Sequence, residues 1–194
     1  MMTLPDDLPP SLYPLAWLLG SWRGWGTAPA MGEEGEDRPL VFALDVTHDG
    51  DDLRHHLRVS YAEAADGIDV MADAARGLAL LTPRDEAWEE TGTWHLTRSE
   101  PAQGPGTETF GEGTLRLRGG RFGGEGLWAI RCQGPRIGAR ISDIDGLSEN
   151  GTRIVEASRM YGLVGGELMW AEEAALNGED IRPAVTARLA REDA

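Results

Sequence analysis

The sequence predicts an all-β fold, an antiparallel sandwich or barrel, in one domain spanning residues 1–194. Three observations carry this. Apolar and polar residues alternate in short stretches spaced about ten residues apart, the period of half-buried strands. The 26 glycines are too many for a helical protein, and 11 prolines punctuate the chain. A single domain of 194 residues also buries roughly 70% of its unfolded surface, enough for one core without staples.

The elements follow in order. Residues 1–11 are polar and proline-rich and read as a flexible lead-in, and "SLYPLAWLL" (11–19) reads as a short helix or 3₁₀ turn. The glycine-rich run "GSWRGWG" (20–26) is a strand, followed by a loop over 27–39 that carries the acidic cluster Glu33, Glu34, Glu36 and Asp37. "LVFALDV" (40–46) opens the next strand. In "DLRHHLRVSYA" (52–62), Leu53, His55, Leu57, Val59 and Tyr61 share one face, and Arg54, His56, Arg58 and Ser60 share the other. "IDVMADA" (68–74) and "GLALLTP" (77–83) are expected to pair as strands through a turn at Arg76-Gly77. "WEETGTWHLTR" (88–98) alternates again. Residues 107–132 hold two or three strands with a hairpin at Gly119-Gly120, then come 136–145 and 153–177, with a hairpin at Gly165-Gly166, and 180–192 closes the chain.

Composition narrows the function. A net charge of −15 repels phosphate backbones, so nucleic acid and anionic membrane are not expected partners. Cys132 is the single cysteine, which excludes an intrachain disulfide and a thiolate metal cluster and fits a reducing cytoplasm. No basic region precedes the apolar run Leu15–Leu19, which is far shorter than the roughly 20 residues of a membrane span. The expectation is a soluble cytoplasmic protein.

The glycines invite a nucleotide reading, which fails. A dinucleotide fingerprint needs G-x-G-x-x-G between a strand and a helix, and a Walker loop needs Gly-Lys-Ser/Thr. Here Gly20, Gly24 and Gly26 lie in a strand and a proline-broken loop follows. Even spacing puts Gly20, Trp22, Gly24 and Gly26 on one face, where Trp22 fills space and the glycines admit a close backbone approach.

"GSWRGWG" also fits the G-x-W-x-G-x-G signature of the nitrobindins, and the chain resembles that family beyond it. "PLAWLLGSW" is similar to the family's opening, "WEETGTWHLTR" to its central strand, "ASRMYGLVGGELMWAEEAAL" to its Arg-x-Tyr strand, hairpin and penultimate strand, and "IRPAVTARLARE" to its closing strand. The likeness covers about residues 12–192, with a divergent stretch at 27–90. It implies a ten-stranded antiparallel β-barrel of the calycin, or fatty-acid-binding-protein-like, type. It further implies ferric heme near one mouth, nitric oxide binding, conversion of peroxynitrite to nitrate, and a homodimer.

One departure bears on all of that chemistry. The resemblance puts the iron-ligating histidine at the start of the closing strand, and Ala184 stands there. A methyl group has no lone pair to give to iron. Heme is therefore not expected as a cofactor, the peroxynitrite activity is expected to be lost, and a small apolar cavity ligand takes its place as the expected partner. The alternative is a heme-binding peroxynitrite isomerase with another axial ligand, for which inward-facing His55 is the candidate. His56 faces outward, His95 lies with Thr93 and Thr97, and His48 sits in the "THDGDD" turn. No zinc spacing or G-x-S-x-G elbow occurs. Glu89-Glu90 and Glu172-Glu173 are strand neighbours that diverge, and read as solvated faces. Cys132 reads as a structural thiol.

Overall fold

The computed structural model of the protein describes residues 5–29, 37–64, 69, 71–104, 106–142, 148–149, 152–176 and 179–192. A 3₁₀ helix, Pro10–Leu18, leads into the strands β1 (Gly20–Ala28), β2 (Arg38–Asp49) and β3 (Asp52–Ala64). A six-residue helix α1 (Ala74–Ala79) precedes β4 (Leu81–Glu100), β5 (Phe110–Gly119), β6 (Glu125–Gln133) and β7 (Arg136–Ser142). The two-residue β8 (Ser148–Glu149), then β9 (Thr152–Val164), β10 (Glu167–Leu176) and β11 (Arg182–Arg191), complete the chain. β1 to β7, β9, β10 and β11 pair antiparallel in that order, and β11 returns to β1, so ten strands form a closed barrel. β8 pairs only with β9.

Alternation decides which side chains fill the barrel. Leu40, Phe42, Leu44 and Val46 of β2, Leu53, His55, Leu57 and Val59 of β3, and Trp128, Ile130 and Cys132 of β6 are all buried. The base is closed by the 3₁₀ helix, whose Leu12, Leu15 and Leu18 join this core. Proline at both Pro10 and Pro14 favours the short tight helix over a long one.

Two expectations change. The segment read as two strands meeting at Arg76-Gly77 instead forms α1 and the start of β4. The Asp73 carboxylate caps α1 by accepting from the Arg76 N–H at 2.7 Å, and Gly77 lies directly against the Trp25 ring where a Cβ would overlap it. Tyr61 keeps the parity of Val59, standing opposite Leu40 across an unbroken β2–β3 register, but is 38% exposed, while its neighbour Ala62 is buried on the other face with Trp25. Packing also begins earlier than the lead-in reading allowed, because Leu8 is buried in the core. Glu33, Glu34 and Glu36 lie outside the described residues, as do residues 1–4. No helix among the described residues is long and apolar enough to cross a membrane.

Candidate functional site

The glycine motif is the seam where the first strand meets the last. Gly24 and Gly26 pair with Leu189 and Ala187, and a Cβ at either would overlap the backbone of β11. Trp22 is fully buried; its Nε1–H donates to the Leu18 carbonyl at 2.8 Å, and the Arg191 guanidinium lies 4.2 Å over its ring. Arg191 also donates to the carbonyls of Leu19 and Trp17. Trp22 and Arg191 thus tie β1 and β11 to the 3₁₀ helix at the base, and Gly24 and Gly26 continue the close β1–β11 seam toward the other mouth.

Ala184 lies toward the opposite mouth. Between Glu172 and Glu173 the β10–β11 register slips, pairing Glu172 with Val185 and Glu173 with Pro183, so Ala184 is the extra residue of a bulge. Its side chain is buried, and its carbonyl accepts from Arg121 Nη1 at 2.7 Å. Arg121 belongs to the β5–β6 turn, which does begin at Gly119-Gly120 as expected, and the next residue, Phe122, is buried in the same core as Ala184.

Inside the barrel the structure assembles a charged cluster. Glu90 of β4, Arg159 of β9 and Glu172 of β10 are all buried, each side chain no more than 3% exposed. Arg159 donates bidentately to Glu90, Nη1 to Oε1 and Nη2 to Oε2, both at 2.7 Å, and its Nε lies 2.6 Å from Glu172 Oε2. The Arg159 guanidinium also faces the rings of Trp128 and Trp170 at 5.0 and 5.4 Å. Burial by itself would raise the Glu90 carboxyl, but the charge of Arg159 and hydrogen bonds from His55 and Arg159 outweigh it and bring it down to about 2. Burial pushes Glu172 up to about 7 against the pull of Arg159, with repulsion from Glu90 adding to the rise. One guanidinium serves two carboxylates, and Glu90 holds the better geometry.

His55 belongs to this cluster and is buried, as its strand face predicts. Trp94 Nε1, a donor only, reaches His55 Nδ1 at 2.8 Å, so Nδ1 accepts. His55 Nε2 lies 3.1 Å from the ionised Glu90 and therefore carries the proton. Both ring nitrogens are occupied. His56 faces outward beside Glu89, as expected, His95 is exposed beside Asp52, and His48 sits at the end of β2 near Asp7. Cys132 is a buried free thiol that desolvation pushes up to about 12, which keeps it a thiol rather than a nucleophilic thiolate.

Solvated faces hold for Glu89 and Glu173 and fail for Glu90 and Glu172. The missed signal was the same even spacing that placed the tryptophans. Glu90 shares a face with Gly92 and Trp94, and Glu172 shares one with Leu168 and Trp170.

Two cavities differ sharply in size. The interior one, bounded by His55, Glu90, Trp94, Tyr161 and Trp170, measures about 20 Å³, room for one water. The larger, about 760 Å³, is a groove along the outer face of β1, β11, β10, β9 and β7. Among the described residues no group of three or more His, Cys, Asp or Glu could hold a metal ion.

A closed ten-stranded antiparallel barrel, plugged at its base and sealed by a glycine seam, defines a small calycin-type β-barrel protein. The model described as "THAP4-like, heme-binding beta-barrel domain" matches residues 11–191, and the chain belongs to this nitrobindin family. It is 32% identical to a "Ferric nitrobindin-like protein" of Beutenbergia cavernae over 97% of each chain. It is 29% identical to a "Peroxynitrite isomerase" of Leifsonia xyli subsp. xyli over 98% of this chain and 99% of that one. The crystal structure of Rv2717c from M. tuberculosis superposes with a TM-score of 0.63 at 20% identity, over 96% of this chain and 99% of the other, and supports the fold.

Proposed function

We propose that this barrel is a non-enzymatic nitrobindin-family protein that does not ligate heme iron and instead binds a small apolar ligand. The observation that carries the reading is Ala184. The residue at the expected iron position offers no donor atom, and its backbone carbonyl is already engaged by Arg121. His55 does not fit as the substitute ligand either. His55 has no free lone pair, and the cavity it borders is about 20 Å³, whereas sites for drug-sized molecules occupy on the order of 300–1,000 Å³.

The second reading, peroxynitrite isomerisation as in the named relative, would require His55 to leave both Trp94 and Glu90 before it could meet iron. That would strip a buried, ionised carboxylate of one of its partners, a loss worth about 1.5–3 kcal/mol for a hydrogen bond to a charge.

Titration with hemin, followed by Soret absorption, separates the readings when the natural protein and Ala184→His are compared. The expected outcome is a sharp, stoichiometric Soret band for Ala184→His alone. A sharp band of equal affinity in the natural protein, abolished in His55→Ala, would establish the second reading instead.

A further inference from the structure

The outer groove is unusual in its chemistry. In a chain with 33 acidic and 18 basic residues, the described residues lining it include three arginines and no aspartate or glutamate. Its floor is made of small residues on outward positions: Gly138 of β7 has open space where a Cβ would stand, and Gly162 of β9 has only ordinary contact there. Met160 and Val164 beside it are 66% and 65% exposed. A flat, flexible apolar strip is thus set into a strongly anionic surface.

The cations are not equivalent. Arg188 at one end is committed: its Nε lies 3.2 Å from Glu167, and its Nη1 donates to the carbonyls of Ala72 and Met71 at 2.8 and 3.2 Å. At the β6–β7 end, Arg131 and Arg136 approach Glu112 and Glu108 only at 3.9 Å, beyond hydrogen-bond range. Arg131 also lies over the Phe110 ring at 5.2 Å, and among the described residues the guanidinium N–H donors of both arginines make no hydrogen bond, which leaves them available to a ligand, with Gln133 on the same rim.

We infer that this groove is the binding site for an amphiphilic anion, an unbranched apolar chain ending in a carboxylate. The chain lies along Gly138, Gly162, Met160 and Val164, and the carboxylate is held by Arg131 and Arg136. The inference rests on the apolar-ligand reading above and moves its site from the barrel interior to the outer face, where about 760 Å³ falls within the usual range for small-molecule sites. Charge complementarity selects the anion.

The test is displacement of dansylaminoundecanoate, read by fluorescence, with dodecanoate and dodecanol as competitors on the full-length protein. Dodecanoate is expected to compete about tenfold more strongly than dodecanol, the worth of one charge-assisted contact. Arg131→Gln/Arg136→Gln should erase that difference. Gly138→Phe and Met160→Glu, each at an open surface position, should weaken both competitors about tenfold or more while leaving the melting temperature unchanged. If both competitors bind but neither groove variant matters, the groove is wrong and the apolar-ligand reading stands. If nothing binds, both fall. A dimer in sedimentation that Gly138→Phe dissociates would assign the face to a second copy and overturn the proposal.

Discussion

Glu90, Arg159 and Glu172 place two carboxylates on one buried guanidinium, and their opposite shifts make opposite demands on pH. Glu90, held at about 2, contributes stability that is present above its ordinary 4.5 and is lost as pH falls toward 2. Glu172, raised to about 7, contributes stability that is complete below 4.5 and is lost as pH rises through 7. That rise is worth about 3 kcal/mol at most. Glu172→Gln cannot ionise, so its melting temperature relative to the natural protein should climb between pH 5 and pH 8. A difference that stays flat over that range would mean Glu172 titrates normally. Arg159→Met should be far more damaging, on the order of 3–5 kcal/mol, because it leaves ionised Glu90 in the core without its counter-charge, held only by the hydrogen bond from His55. None of these three was singled out from sequence as part of a site. Two acids stand beside a second glutamate, and a doubled charge reads as surface; only the partner on another strand explains the burial, and partner strands are fixed by the closed barrel, not by local pattern.

At the scale of elements, the glycines of the seam make a sharper test than any apolar residue. Gly26→Ala would drive a methyl into the backbone of Thr186 and Ala187, which cannot move without shifting β11. Overpacking of this kind costs about 1–3 kcal/mol. Gly138→Ala, facing open space, should stay within about 0.5 kcal/mol of the natural protein. Urea unfolding of the pair measures both; equal stability would show that the seam can relax. This close approach was legible in the sequence, because Trp22 and the glycines fall on even positions of one strand. The long strands and both glycine hairpins were legible for the same reason. The helix α1 was not: its six residues are too short for a helical period to emerge, and what holds it is Trp25, whose Nε1–H donates to the Asp73 carbonyl at 3.1 Å across 48 residues.

For the whole molecule, two electrostatic effects of opposite sign compete. Exposed pairs such as Arg54–Asp49, Arg84–Glu63 and Arg116–Glu125 favour the fold, and salt weakens them. Each contributes little, because water screens it. Against them stands the self-repulsion of a net charge of −15 confined to one barrel, which salt relieves. The acids outnumber the bases by 15, and that many carboxylates have no cation to pair with, so repulsion should dominate. The melting temperature at pH 7 is therefore expected to rise as sodium chloride goes from 10 to 300 mM. Most of the gain should come by about 100 mM, where the screening length has shrunk to about 10 Å. The penalty of Arg159→Met should not change over the same range, since that cluster is shielded from the solvent ions. A melting temperature that falls with salt would mean the surface pairs outweigh the net charge; a salt-dependent Arg159→Met penalty would mean that solvent reaches the interior cluster through the Ala184 mouth.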